Sequence, residues 1–176
     1  LGPTFVALTA LGMPVLRGGF GRLLPGFVSV PFGDIEALEK SLSTDTAAVL
    51  IEPIQHEAGI LLPKNDYLRN VRKLCDEHGL IMILDEIKTG FGKTGRMFAC
   101  EHYDVVPDIL VLGKSLGGGL IPTGAVIARS DLWKRFGLSF PMSASSCAGN
   151  VLACRAGLAT IEFITQSSLL ADCAEK

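Results

Sequence analysis

The sequence predicts an α/β fold built on a mostly parallel sheet, and two observations support this. Short, continuous apolar runs occupy residues 47–51, 80–84 and 109–112. Such runs are typical of strands buried on both faces of a parallel sheet. Between the first two runs, residues 66–78 have the periodicity of an amphipathic helix that ends at Gly79. Its apolar face comprises Tyr67, Leu68, Val71, Leu74 and Cys75. The resulting β-α-β order is the unit of a parallel sheet.

The segments before the first run are predicted as connections and short elements. Residues 1–25 are rich in Gly and Pro and are expected to be irregular, with one short helical piece. A strand is expected at 27–31. A short amphipathic helix is expected at 34–42, because Asp34 is a suitable residue near a helix N-terminus.

Two further elements follow the third run. A Gly/Pro loop leads into a fourth apolar run at 123–128, and the link is too short for a helical crossover. We therefore expect this strand to pair antiparallel or to lie at an edge. Residues 148–164 predict a long helix that is apolar on nearly every side, and such a helix is normally buried.

The composition excludes several classes of protein. The chain has 176 residues, of which 48% are hydrophobic and 19% charged, with a net charge of −2. Disordered chains are less hydrophobic, proteins that bind nucleic acid through its phosphates are more basic, and no apolar run approaches the ~18 residues of a membrane span. The charged fraction is below the ~25% usual in soluble domains. We therefore expect much of this chain to be covered by structure outside the sequence.

Cysteine and histidine usage predicts neither a disulfide framework nor a metal site. The five cysteines contain no Cys-x-x-Cys pair, and His56 and Glu57 have no second histidine at ligand spacing. This pattern favours a reducing, cytoplasmic compartment. The sequence opens at Leu1 without an initiator Met or a signal peptide, so we expect it to begin inside a longer protein.

An ionisable residue follows each of the three buried runs. Glu52 comes after the first, Asp85 after the second, and Lys114 just beyond the third. Because ligands bind at the carboxyl ends of the strands in an open parallel sheet, we expect these side chains to converge at one edge. A partly desolvated lysine is a nucleophilic amine suited to imine chemistry. A nearby aspartate could hold the ring nitrogen of a pyridine-type cofactor protonated.

Two segments partly match nucleotide-binding motifs but do not meet all the requirements of either motif. Residues 90–95 match G-x-G-x-x-G, but residues 86–89 separate them from the strand that should lead directly into the motif. Lys93 and Lys114 each follow a glycine as in a P-loop. The first glycine of that motif is missing in both places, where Ile87 and Asp108 stand instead.

Several motifs occur in a characteristic order around these strand ends. They are Glu52-Pro53-Ile54-Gln55, Asp85-Glu86-Ile87, residues 89–95, Pro107-Asp108-Ile109-Leu110, residues 113–119 and Ala148-Gly149-Asn150. From about Gly2 to Ile164 the chain resembles the class III, or ω-amino, aminotransferases, which are fold type I enzymes dependent on pyridoxal 5′-phosphate (PLP). The resemblance implies a three-layer α/β/α large domain. It also implies that residues 1–176 are its central part, without the N-terminal segment and the small C-terminal domain.

The resemblance also implies roles for individual residues. Lys114 is expected to bind PLP as an imine and to shuttle a proton, Asp85 to hold the pyridinium nitrogen, and Ile87 to pack on one face of the ring. Ser145 and Ser146 align with a Ser-Thr pair that receives the PLP phosphate of the neighbouring subunit in a homodimer. Hydroxyls and free N–H groups before the helix at 148–164 suit such an anion.

Three further positions are implied near the cofactor and substrate. Glu52 and Glu57 match acidic positions close to the substrate. Lys88 stands where the family usually has a Gln that donates to the phenolic oxygen of PLP, and its charge would alter the acidity of the imine.

The reaction implied is transfer of an amino group from an amine or ω-amino acid to a 2-oxo acid. Another class III enzyme, such as an aminomutase or racemase, is the first alternative, because it would share Lys114 and Asp85. The second alternative is a non-catalytic fragment or degenerate homologue. No nucleic-acid or membrane partner is expected.

Overall fold

The computed structural model describes residues 4–11, 19–21, 23–64, 66–139 and 146–176, with side chains described as far as residue 135 in the fourth range. The chain divides into two compact units, Leu1–Thr46 and Ala47–Lys176. Of the helices within the described ranges, none combines the length and apolarity that a transmembrane span requires.

Within its described residues, the first unit contains two short helices. Helix α1 spans Phe5–Ala10, and α2 spans Ile35–Ser41. Asp34 begins α2, because its Oδ1 accepts a hydrogen bond from the N–H of Ala37 at 2.9 Å. The prediction of a helix at 34–42 is therefore confirmed.

The predicted strand at 27–31 is wrong. The segment is irregular, and Val28 is 75% exposed. A strand needs a hydrogen-bonded neighbour, and the sheet found in the described residues contains only segments from the second unit. Pro31 also lacks the N–H that a ladder would require.

The second unit is built on a four-stranded mixed sheet. Its strands are β1 (Ala48–Ile51), β2 (Ile81–Asp85), β3 (Ile109–Leu112) and β4 (Ala125–Ala128), in the spatial order β1-β2-β3-β4. The first three strands are parallel, and β4 pairs antiparallel with β3 at an edge. The α/β prediction, the three parallel strands and the antiparallel position of the fourth run are confirmed.

Helix α3 (Tyr67–His78) connects β1 to β2 and packs against β2. It ends at Gly79, whose φ of 66° lies in the left-handed region that favours glycine. Its predicted apolar face is buried, and Leu68, Val71 and Cys75 are inaccessible to solvent, as are Met82 and Leu84 of β2. The core of this unit therefore lies between α3 and one face of the sheet.

In the part of the second unit that the structure describes, two 3₁₀ helices and three further α-helices accompany the sheet. The 3₁₀ helices span Ala99–Tyr103 and Lys114–Gly117. Helices α4 (Ser130–Ser139), α5 (Val151–Gln166) and α6 (Leu169–Ala174) follow. The predicted helix at 148–164 corresponds to α5 but begins three residues later, since Asn150 Oδ1 accepts the N–H groups of Leu152 and Ala153, both at 3.1 Å.

Much of this helix is exposed in the described residues, which agrees with the expectation that structure outside the sequence covers part of the chain. Gly157 and Ile164 are its buried residues, whereas Val151 is 80% exposed and Leu152 69%. Helix α5 packs on the 3₁₀ helix Lys114–Gly117, which covers one side of it. Nothing in the described residues covers its remaining apolar side chains, so the apolar sequence exceeds what this chain alone can bury.

Candidate active site

The register of the parallel strands aligns the ends that carry the ionisable residues. Ile51 of β1 lies opposite Leu84 of β2, so the next residues, Glu52 and Asp85, follow at the same level. Asp85 in turn lies opposite Val111 of β3, three residues before Lys114. All three residues therefore leave the same edge of the sheet.

The electrostatics of Glu52 reflect this proximity. Burial raises the pKa of Glu52, and the negative charge of Asp85 raises it further. A hydrogen bond from the backbone N–H of His56 and the positive charge of Lys114 act in the opposite direction on that pKa. Asp85 and Lys114 thus both act on the pKa of Glu52 at the sheet edge.

Asp85 is the last residue of β2 and is 4% exposed. Its Oδ1 accepts a hydrogen bond from the N–H of Ile87 at 2.9 Å. This contact closes a tight turn at the end of the strand and fixes the carboxylate relative to the backbone. The buried acid is therefore held in one orientation.

Lys114 opens a 3₁₀ helix immediately after Gly113 and has a φ of 45°. A left-handed conformation is unfavourable for a lysine, and strain of this kind clusters at functional sites. The residue is exposed and lines an open groove of about 630 Å³, together with Lys93, Phe163 and Cys173. Its amine is therefore accessible to a small molecule.

Ile87 and Lys88 lie in the turn that follows β2, and both are half-buried. A Cβ placed on Gly113 would lie 3.4 Å from Ile87 Cγ2. The Ile87 side chain therefore packs directly against the residue that precedes Lys114, which brings this predicted site residue to the same edge.

The other predicted residues are distributed more widely. Glu57 is exposed in the turn 56–59, which is closed by a bridge between Gln55 and Leu61. Ser146 is exposed in the turn that precedes Asn150, and Ser145 lies outside the described residues. The free N–H groups expected at the start of this helix are partly used, because Asn150 already binds two of them.

Two buried acids with many partners were missed as site residues by sequence reasoning. Glu86 is fully buried beside Asp85, and Asp108 is 5% exposed just before β3. The sequence feature that could have identified Glu86 is its position as the second of two consecutive acids at the end of a buried strand. For Asp108 it is an acid between Pro107 and an apolar run.

Three solved structures illustrate the likeness of this chain to known proteins. Ornithine aminotransferase from Toxoplasma gondii ME49 is 37% identical with a TM-score of 0.85, over 97% of this chain and 39% of that one. Acetylornithine aminotransferase from Elizabethkingia anophelis is 41% identical with a TM-score of 0.74, over 81% and 35%. A transaminase from the marine bacterium Virgibacillus is 26% identical with a TM-score of 0.89, over 96% and 41%.

These likenesses confirm the fold class and bear on the cofactor. In another structure of the T. gondii enzyme, crystallised with oxidised glutathione, PLP partially occupies the active site. The present chain spans about two-fifths of the length of these proteins. Residues 2–176 match the sequence model of the aminotransferase class-III family. The chain therefore belongs to the class-III aminotransferases.

Proposed function

We propose that the protein is a PLP-dependent aminotransferase that transfers an amino group from an amine or ω-amino acid to a 2-oxo acid. The observation that carries this proposal is the common sheet edge of buried Asp85 and exposed, strained Lys114. Family membership and the PLP in the T. gondii enzyme support the choice of cofactor.

The residues at this edge fit the chemical groups of PLP. A buried carboxylate such as Asp85 suits the pyridine nitrogen, because its negative charge favours the protonated ring. The apolar Ile87 side chain, packed against Gly113, suits a face of the aromatic ring. The accessible amine of Lys114 suits the aldehyde carbon.

The phosphate and the phenolic oxygen of PLP need donors, which we assign to three further residues. Ser146 and its neighbour Ser145 would bind the phosphate of a cofactor held by the partner subunit of a homodimer. The exposure of Ser146 supports a contact across a subunit interface. Lys88, half-buried in the turn after Asp85, would donate to the phenolic oxygen and add a positive charge beside it.

When bound, PLP would supply an electron sink for the electron pair left on the substrate carbon as its proton departs. Asp85 would hold a proton at the ring nitrogen, and its burial would limit competition from water. Lys114 would hold the cofactor through Nζ. The same amine would take a proton from the substrate carbon and return it, as a general base and then a general acid.

We propose that Glu52 and Glu57 act on the substrate side of the site. An amino donor is cationic, so carboxylates near the entrance favour its approach. Glu52 is half-buried beside Asp85 and has a raised pKa, whereas Glu57 is exposed in its turn. We further propose a cytoplasmic setting, with neither nucleic acid nor membrane as a partner, and the free state of all five cysteines supports that compartment.

Covalent trapping tests the assignment of Lys114. PLP is added to the full-length protein, the visible absorbance is recorded, and borohydride reduction is followed by peptide mass spectrometry. We expect the label on Lys114 and its loss in Lys114→Ala. Lys93→Ala, which removes another exposed amine in the same groove, is the matched control and should keep the label. A label on a different lysine, or none, would overturn the assignment.

Product analysis tests the reaction class. The enzyme is incubated with an ω-amino acid and either 2-oxoglutarate or pyruvate. A transaminase converts the acceptor into its amino acid, whereas an aminomutase or racemase leaves the acceptor unchanged. An unchanged acceptor in a protein labelled at Lys114 would therefore exclude amino transfer with those substrates and retain the cofactor assignment.

A further inference from the structure

Glu86 is a completely buried carboxylate that accepts hydrogen bonds from three residues. Its Oε2 accepts the hydroxyl of Thr89 at 2.8 Å and the N–H of Ala99 at 2.7 Å, and its Oε1 accepts the N–H of Cys100 at 2.8 Å. Hydrogen bonds to an ionised acceptor are about twice as strong as neutral ones. The side chain thus ties the end of β2 to the start of the 3₁₀ helix Ala99–Tyr103.

The backbone of Glu86 is held as firmly as its side chain. Its N–H donates to the carbonyl of Val111 at 2.9 Å, and its own carbonyl accepts the N–H of Gly90 at 2.9 Å. A Cβ on Gly90 would lie 2.9 Å from that carbonyl oxygen, so only glycine permits this approach. Because successive side chains of an extended segment point in opposite directions, Glu86 anchors the strand end from the side opposite Asp85.

The charge of Glu86 is balanced by polar donors. No ion pair within the described ranges involves this carboxylate. Its partners are two N–H groups, the hydroxyl of Thr89 and the thiol of Cys100. Burial, and after it the negative charge of Glu86, raise the pKa of Cys100 to about 12. The neighbouring thiol therefore stays protonated and adds no second charge to this buried region.

We propose that Glu86 is the positioning residue of the site, whose buried carboxylate holds Asp85, Ile87 and the loop beside Lys114 in their working geometry. The inference rests on the proposed function of Asp85 and Lys114. The connection is short: Asp85 precedes Glu86 directly, and Ile87 packs on Gly113. The hydrogen bonds of Glu86 to Ala99 and Cys100 join the two ends of the segment 86–99. Phe91 and Lys93 of this segment line the groove that contains Lys114.

Glu86→Gln is a sharp test because both carboxylate oxygens are acceptors. Whichever way the amide is oriented, its NH₂ faces an N–H donor, either of Ala99 or of Cys100. Glu101→Gln is the matched control. Glu101 also accepts a backbone N–H at the start of the same 3₁₀ helix, from Phe98 at 3.0 Å, but only its Oε1 is used and the residue is exposed.

Amide hydrogen exchange gives a readout that needs no cofactor. The N–H of Ile87, bonded to Asp85 Oδ1, should exchange about tenfold faster in Glu86→Gln than in the parent or in Glu101→Gln. If circular dichroism shows that Glu86→Gln is unfolded, Thr89→Val takes its place. It removes one donor, keeps the carboxylate and should give a smaller increase. Unchanged exchange at Ile87 in a folded variant would overturn the proposal.

A second readout links the anchor to the cofactor. The visible absorbance of the PLP-loaded protein is followed against pH, because the protonation of a bound imine depends on how Asp85 is placed. Glu86→Gln should shift this profile and weaken PLP retention about tenfold, while Glu101→Gln should do neither. A protein that takes up no PLP contradicts the proposed function, and the exchange at Ile87 still decides the role of Glu86. Faster exchange with an unshifted profile would overturn the positioning role.

Discussion

Asp108 Oδ2 lies 2.8 Å from Arg72 Nη1 and also accepts the N–H of Met82 at 2.7 Å. The other oxygen, Oδ1, lies 2.6 Å from Arg129 Nη1. One carboxylate therefore joins helix α3, strand β2 and the residue that follows β4. Because Asp108 directly precedes β3, it ties together the elements that set the strand ends at the site.

Replacement of Asp108 by Ala should destabilise the protein by about 3 kcal/mol, because it leaves the largely buried Arg72 without its main partner. The midpoint of urea unfolding measures the loss. Glu77→Ala is the control, since its pair with Lys73 on α3 is exposed and should contribute less than about 1 kcal/mol. Equal shifts in the two variants would contradict this view of Asp108.

The same carboxylate predicts a dependence of stability on pH. Burial alone would raise the pKa of Asp108, but the N–H of Met82 and the guanidinium groups of Arg72 and Arg129 hold the pKa below its usual value. The stabilisation is therefore complete above the unfolded pKa of about 3.9 and is lost as the pH falls through the lower folded value. Unfolding curves of the parent and Asp108→Ala should converge in acid. A gap that persists there would refute this linkage.

The left-handed backbone of Lys114 predicts an unusual order of stability between two variants. Lys114→Gly should be about 1 kcal/mol more stable than Lys114→Ala, because glycine adopts a φ of 45° without a Cβ penalty. Lys93, whose φ is not positive, should show the reverse order, because alanine restricts the unfolded chain more than glycine does. Thermal unfolding of the four variants makes the comparison, and the same order at both positions would argue against strain at Lys114.

Alanine substitutions at two apolar residues of helix α5 should differ strongly in their effect on the free energy of unfolding. Leu152→Ala should change the free energy of unfolding by less than about 0.5 kcal/mol, because its side chain is exposed. Ile164→Ala should cost about 2–5 kcal/mol, since Ile164 is 4% exposed. Chemical denaturation of dilute protein measures both. A large loss for Leu152→Ala would mean that this face is covered in solution.

The sheet could be predicted from sequence because its signal is local. Each apolar run at 47–51, 80–84 and 109–112 gave a strand within one residue of the expected bounds. The convergence of Glu52, Asp85 and Lys114 followed from strand direction alone. The left-handed conformation of Lys114 had no such signal, because it arises from the turn that this residue must make after Gly113.

The failures concern partners that are distant in sequence. Residues 27–31 have strand-like composition, but strand formation also requires a neighbour. Glu86 and Asp108 are acids that accept most of their hydrogen bonds from donors 13 to 36 residues away. The type of a residue alone does not show which distant residues will donate hydrogen bonds to it.

The five cysteines differ in their expected reactivity toward thiol-modifying reagents, because two are buried and three are exposed. Burial raises the pKa of Cys75 to about 11 and that of Cys100 to about 12, so neither forms the reactive thiolate near neutral pH. Cys147, Cys154 and Cys173 are exposed, and Cys173 lines the groove that also contains Lys114. The rate at which Cys173 is alkylated therefore reports whether a small molecule occupies that groove, with Cys154 as an internal reference in the same sample.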